Sequence, residues 1–130
     1  MAKLLFTFFL SIVCSISLLA QNQTSKKIEE ELKEYYFVML KKGPNRDQSK
    51  ATADSIQKGH MAHINKMAEA GNLCIAGPFG DDGEWRGILI FKTKTLQEAK
   101  NLVEQDPAVK SGRLSYEAHP WWSMKGAKLD

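Results

Sequence analysis

Three histidines and one aspartate are the residues best placed to do chemistry in this chain. His60 stands four residues from Ile56 and four from Ile64, in the middle of an apolar stripe. A histidine on a buried face needs partners for its ring nitrogens or it costs stability. His63 sits at the edge of the same face, and His119 precedes Pro120 near the last extended stretch. For a lone histidine on an apolar face the default is a satisfied structural residue. Asp106 shifts that balance. It is predicted to sit in the last turn of the second helix, after Leu102 and Val103, where the macrodipole disfavours a carboxylate. If the two helices pack side by side, Asp106 can reach the first one. A His–Asp pair would fix the imidazole tautomer and equip the ring for proton transfer. The competing assignment makes Asp106 a cap on the Pro107 turn, through its own backbone N–H bonds. Spacing alone leaves both open, with the cap the simpler.

The remaining reactive groups carry weaker signals. Cys74 lies in the apolar run Leu73-Cys74-Ile75-Ala76, which predicts a buried core thiol rather than a nucleophile. No Cys/His spacing suggests zinc, and nothing calls for a cofactor. Gly77-Pro78-Phe79-Gly80-Asp81-Asp82-Gly83 could bind an ion through its acids or backbone N–H groups, yet reads more simply as a hairpin turn. Arg86 and Arg113 could hold an anionic substrate, although both fall where solvated strand-edge residues are expected.

The elements that must position these residues follow from periodicity and punctuation. Tyr35 to Lys41 is dense in aromatic and apolar residues, as a central strand covered on both faces would be. Gly43-Pro44-Asn45 ends it. A helix is predicted from about Ser49 to Ala70, since Ile56, His60, Ile64 and Met67 fall on one face; Gly71 stops it in the C′ role. Short strands follow at Leu73 to Ala76 and at Trp85 to Phe91, with Gly87 as a bulge or close-approach point. Thr95 and Glu98 have the spacing of a capping box for the second helix. Pro107 ends that helix, residues 107–112 form a turn or short helix, and Arg113 to His119 is the last strand.

This order is βαββαβ, an α+β arrangement of the ferredoxin-like type. Its antiparallel four-stranded sheet would carry two helices on one face. The other face would be bare and apolar unless covered. A second copy stacked sheet to sheet would cover it, so a homodimer is expected, with Trp121 and Trp122 after the last strand available to complete the interface.

Residues 1–20 stand apart from this domain. Lys3 gives a basic start, Leu4 to Ala20 is almost wholly apolar, and Gln21-Asn22-Gln23-Thr24-Ser25 is polar. That order is the order of a secretory signal peptide cleaved after Ala20. The competing reading is an uncleaved membrane anchor, for which the apolar run is at the short limit; with cleavage, no stable membrane insertion is expected and the product should be secreted or periplasmic. Residues 21–33 read as a polar leader, 34–123 as the domain and 124–130 as a polar tail. Cys14 leaves with the signal segment, so Cys74 has no intrachain disulfide partner. The formal net charge of +3 falls by one with the loss of Lys3. No long Lys/Arg run accompanies it, which argues against nucleic-acid binding.

Five segments together resemble the YCII-related family: Gly59-His60-Met61-Ala62-His63-Ile64, Leu73-Cys74-Ile75-Ala76-Gly77-Pro78-Phe79, Gly87-Ile88-Leu89-Ile90-Phe91, Asp106-Pro107-Ala108-Val109 and His119-Pro120-Trp121. The resemblance runs from about Tyr35 to Trp122. It implies a dimeric α+β barrel and a pocket between sheet and helices that holds a His–Asp pair. Here that pair would be His60 and Asp106; His63 falls on a variable position and receives no role. The resemblance further implies a cofactor-independent enzyme of lyase, isomerase or dehydrochlorinase type, acting by general acid/base chemistry on a small cyclic or hydroxylated aromatic substrate. The alternative is a non-catalytic module of the cell envelope that binds or senses a small ligand. A secretory leader departs from the family pattern, whose members are mostly cytoplasmic.

Overall fold

The computed structural model describes residues 26–127 and residue 129. The expected signal segment and its cut after Ala20 lie outside the described residues. Residues 26–31 are helical, and β1 (Leu32–Lys42) begins directly after them, so the expected leader of residues 21–33 already contains the start of the first strand. Then come α1 (Lys50–Glu69), β2 (Leu73–Pro78), β3 (Trp85–Phe91), α2 (Leu96–Glu104), the single-turn α3 (Pro107–Lys110) and β4 (Leu114–Met124).

The sheet order is β2-β3-β1-β4. β3 pairs antiparallel with both β1 and β2. β4 also runs antiparallel to β1: Ser115 Oγ donates to the Lys42 carbonyl, Lys41 meets Glu117, and the Tyr35 and Trp121 rings lie 6.3 Å apart. This is the four-stranded antiparallel sheet of the ferredoxin-like fold. Side chains alternate across it with period two. Tyr36, Val38 and Leu40 of β1 stand opposite Phe91, Leu89 and Gly87 of β3, and they are buried with Met67 of α1 and Ala99 and Val103 of α2. The core therefore lies between the sheet and the helices. The alternate set, Tyr35, Phe37 and Met39, is only half-buried, so β1 is not fully covered on both faces as its composition suggested.

Local chemistry sets the helix ends. Ser49 Oγ accepts from the Thr52 N–H at 3.2 Å and caps α1. At its other end the Gly71 N–H donates to the Ala68 carbonyl and the Asn72 N–H to that of Met67. That is a Schellman pair, and it places Gly71 at φ 74°, where glycine carries no Cβ penalty. Thr95 Oγ1 accepts from the Glu98 N–H at 3.1 Å, while the Glu98 carboxylate reaches back to the Lys94 N–H rather than to Thr95 itself.

Two further expectations need correction. Cys74 is exposed, not a core thiol. It is the extra residue of a bulge in an edge strand, between Leu73 opposite Phe91 and Ile75 opposite Ile90, so neither pleat position against the core falls to it. Trp121 and Trp122 do not follow the last strand but lie inside it, because β4 continues to Met124. Trp121 stands with Tyr35 on the sheet face away from the helices, and Trp122 is 60% exposed. Among the described residues no helix is long and apolar enough to cross a membrane.

Candidate active site

His60 projects from the third turn of α1 and is 8% exposed. Asp106, in the loop between α2 and α3, is 1% exposed. The two meet: His60 Nδ1 lies 2.6 Å from Asp106 Oδ2. A carboxylate only accepts, so the proton on this bond belongs to Nδ1. The other carboxylate oxygen, Oδ1, accepts from the Ala108 N–H at 2.8 Å and caps α3, with Pro107 at the first helical position. The cap and the pair are thus both formed, one oxygen each.

The neighbouring residues make that meeting possible. Gly59 precedes His60, and Pro107 follows Asp106. A Cβ on Gly59 would stand 3.0 Å from Pro107 Cγ, tighter than an ordinary contact. Glycine at this point lets α3 close onto α1 and brings the carboxylate to the ring. His63 has a different task. Its Nε2–H donates to the Leu102 carbonyl at 2.8 Å and ties α1 to α2. His119 is exposed on β4, away from this pair.

His60 Nε2 faces open space. The Nδ1 bond is the single side-chain hydrogen bond of this ring, yet no buried side-chain nitrogen or oxygen among the described residues lacks a partner. Nε2 must therefore remain accessible, and His60 lines a cavity of about 450 Å³ between α1 and the β2–β3 end of the sheet. Leu40, Ile64, Leu73 and Leu89 supply apolar walls, and Met61, Asn65 and Gln57 of α1 stand along its mouth. This volume suits a one-ring ligand. Gly87 forms part of the floor; a Cβ there would come within 2.8 Å of the Gly77 carbonyl, so the close approach of β2 and β3 needs glycine.

Arg86 reaches the cavity by a bulge. Leu40 pairs with Gly87 and Lys41 with Trp85, which leaves Arg86 as the extra residue of β3. Bulges re-aim side chains in this way. Its Nη1 donates to Asp82 Oδ1 at 2.9 Å and to the Asp81 and Gly83 carbonyls, which folds the arginine onto the hairpin turn. The segment 79–84 is therefore a hairpin connection braced by Arg86. Arg113 lies beside the same region, with Nη1 donating to Gln48 Oε1 at 2.9 Å. Arg46, which the sequence did not single out, joins it. Its only hint was its place directly after the Gly43-Pro44 turn, and no periodicity marks it. Among the described residues no cluster of three or more His, Cys, Asp or Glu could hold a metal ion.

A ferredoxin-like α+β sheet with a buried His–carboxylate pair at the wall of a one-ring cavity defines the class of this protein. The model of the YCII-related domain matches residues 35–122, more than half of the chain. The chain belongs to the YCII-related family. Among solved structures it is similar to 5-chloro-2-hydroxyhydroquinone dehydrochlorinase from Burkholderia phenoliruptrix AC1100, in complex with 2,5-dihydroxybenzoquinone. That likeness has a TM-score of 0.51 at 20% identity and covers 66% of this chain and 92% of the other. It shows a shared fold. No curated protein matches the sequence.

Proposed function

We propose that the protein is a small cofactor-independent enzyme in which His60 moves a proton for a one-ring substrate, of lyase, isomerase or dehydrochlorinase type. The observation that carries this reading is the 2.6 Å bond from His60 Nδ1–H to Asp106, on a histidine that lines the cavity and whose Nε2 is not sealed off. In that tautomer Nε2 has a free lone pair and is the basic nitrogen. It takes a proton from a ring C–H or O–H, and Asp106 stabilises the imidazolium that forms. The electron pair released either expels a leaving group with its bonding electrons or returns to accept the proton at another ring position. The first course is elimination and the second isomerisation. A hydroxylated aromatic or quinone-like ring is the favoured substrate, supported by the hydroxyquinone that the similar dehydrochlorinase binds.

The test is a turnover screen over hydroxylated and halogenated aromatics and small lactones, with His60→Asn as control. Positioned general bases contribute about 10²–10⁴-fold in rate, and the variant should lose a factor in that range with its circular dichroism unchanged. Turnover undiminished in His60→Asn would sink the proposal. Saturable binding with no consumption of any bound compound would instead make the pocket a binding or sensing module.

A further inference from the structure

Two hollows meet at His60. The larger is the apolar cavity already described; the smaller, about 210 Å³, is lined by Arg46, Arg86 and Arg113 together with Gln57 and His60. Neither hollow has an aspartate or glutamate in its lining. Arg86 is neutralised by Asp82. The other two arginines are not. Arg46 Nη1 donates to the Arg113 carbonyl at 2.9 Å, and Arg113 Nη1 donates to the Gln48 side-chain oxygen at 2.9 Å. Both acceptors are neutral, and among the described residues no carboxylate pairs with either arginine.

The arrangement is held in place by backbone. The Gly43 N–H donates to the Arg113 carbonyl at 3.0 Å and the Asn45 N–H to that of Gly112 at 2.9 Å. A Cβ on Gly43 would collide with the Gly112 carbonyl. The loop carrying Arg46 is therefore fixed against the start of β4, which carries Arg113. Two guanidinium groups kept beside one hollow repel each other, and an anion between them relieves that repulsion.

We infer that Arg46 and Arg113 form an anion subsite for a carboxylate borne by the substrate, with the ring in the apolar cavity and the reacting hydrogen at His60 Nε2. The guanidinium fork matches a carboxylate bidentately, which a point charge does not. This deepens the enzymatic reading and rests on it for the role of His60 alone; the subsite itself stands on the two arginines.

Calorimetric titration of the protein with 2,5-dihydroxybenzoate and with 2,5-dihydroxybenzamide tests it. The two probes share a ring and differ in one charge. The acid should bind about tenfold tighter or more, the scale of one charge-assisted hydrogen bond, and the advantage should shrink as salt rises. Arg46→Gln and Arg113→Gln should each reduce the preference, with thermal melts confirming the fold. Arg113→Lys, which keeps the charge and loses the fork, should fall between; it serves in place of Arg113→Gln if that variant does not fold. Equal affinity for both probes, or no saturable binding of the acid in the millimolar range, overturns the subsite. A preference for the acid in a protein that turns over nothing supports the subsite and removes the catalytic reading instead.

Discussion

Asp106 uses its two carboxylate oxygens for two tasks, and that division decides what each replacement does. In Asp106→Asn the amide oxygen can still accept from the Ala108 N–H, so the cap survives. The amide NH₂ then faces His60 Nδ1 and can only donate. The ring must answer by carrying its proton on Nε2, which turns the basic nitrogen into a donor. The expected outcome is a folded protein with the His60 tautomer reversed and turnover lost; ¹⁵N chemical shifts of the ring read the tautomer directly. An unchanged tautomer would show that Asp106 does not hold the ring. Asp106→Ala behaves differently, because it removes the cap and leaves a buried imidazole N–H unpaired. Cap loss costs about 0.5–2 kcal/mol and an unsatisfied buried donor about 1–3 kcal/mol, so its melting temperature should fall well below that of Asp106→Asn. Spacing could not decide between cap and pair because the partners are 46 residues apart, and it posed as a choice what one carboxylate does at once. Cys74 was misread for a related reason. Its apolar neighbours were visible in the sequence, whereas the bulge that makes it an extra residue depends on how β2 pairs with β3.

At the scale of elements, the site depends on how closely α3 approaches α1. Gly59→Ala sets two effects against each other. Removing a mid-helix glycine gains up to about 1 kcal/mol of helix propensity. The new methyl, however, meets Pro107 Cγ at 3.0 Å and must push α3 away, with Asp106 on its leading edge. Stability should change little while the Nδ1–H signal weakens and turnover falls; turnover equal to wild type would show that the crossing does not set the pair. The strand β4 makes a second prediction through Tyr116, whose hydroxyl donates to Glu104 at 2.7 Å. Burial, and then the adjacent carboxylate, push the Tyr116 phenol up to about 12. The unfolded value is about 10. The folded state therefore holds this proton more tightly, and the stability it contributes is complete below pH about 10 and is lost as pH rises toward 12. Alkaline denaturation should show that decline in wild type and a flatter curve in Tyr116→Phe; matching curves would contradict it. Element order, helix caps and the C′ glycine were legible because each is written in a few adjacent residues. The extension of β4 through Pro120 was not, since an edge strand tolerates proline where a central strand would not. Arg46 was invisible for a similar reason: the Gly43–Gly112 contact that fixes its loop joins segments far apart in the chain.

For the whole molecule, the open question is what covers the second face of the sheet. That face carries Tyr35, Phe37 and Met39 of β1, half-buried, with Ile88 and the buried Ile90 of β3, and Trp121 of β4 is 42% exposed beside them. Lys41 and Glu117 bridge the same face at one end, and the hydrogen bond from Lys41 holds the Glu117 carboxyl below its usual range. An apolar centre with a charged margin is the composition of a protein interface. The face is also built on the two central strands, β1 and β3, which suits a second identical sheet. We expect two copies to pair through it with twofold symmetry, each placing the same residues against the other. A stable contact of this kind covers about 800 Å² on each partner. Phe37 and Met39 lie near the middle of β1, and a glutamate at either would put an unpaired charge at the centre of the contact. Phe37→Glu should convert a dimer to a monomer by light scattering. Its sheet–helix core is untouched, so its circular dichroism should persist and His60 should stay paired with Asp106. A wild-type protein that is monomeric at micromolar concentration would refute this pairing. A dimer that survives both Phe37→Glu and Met39→Glu would move the interface to another surface.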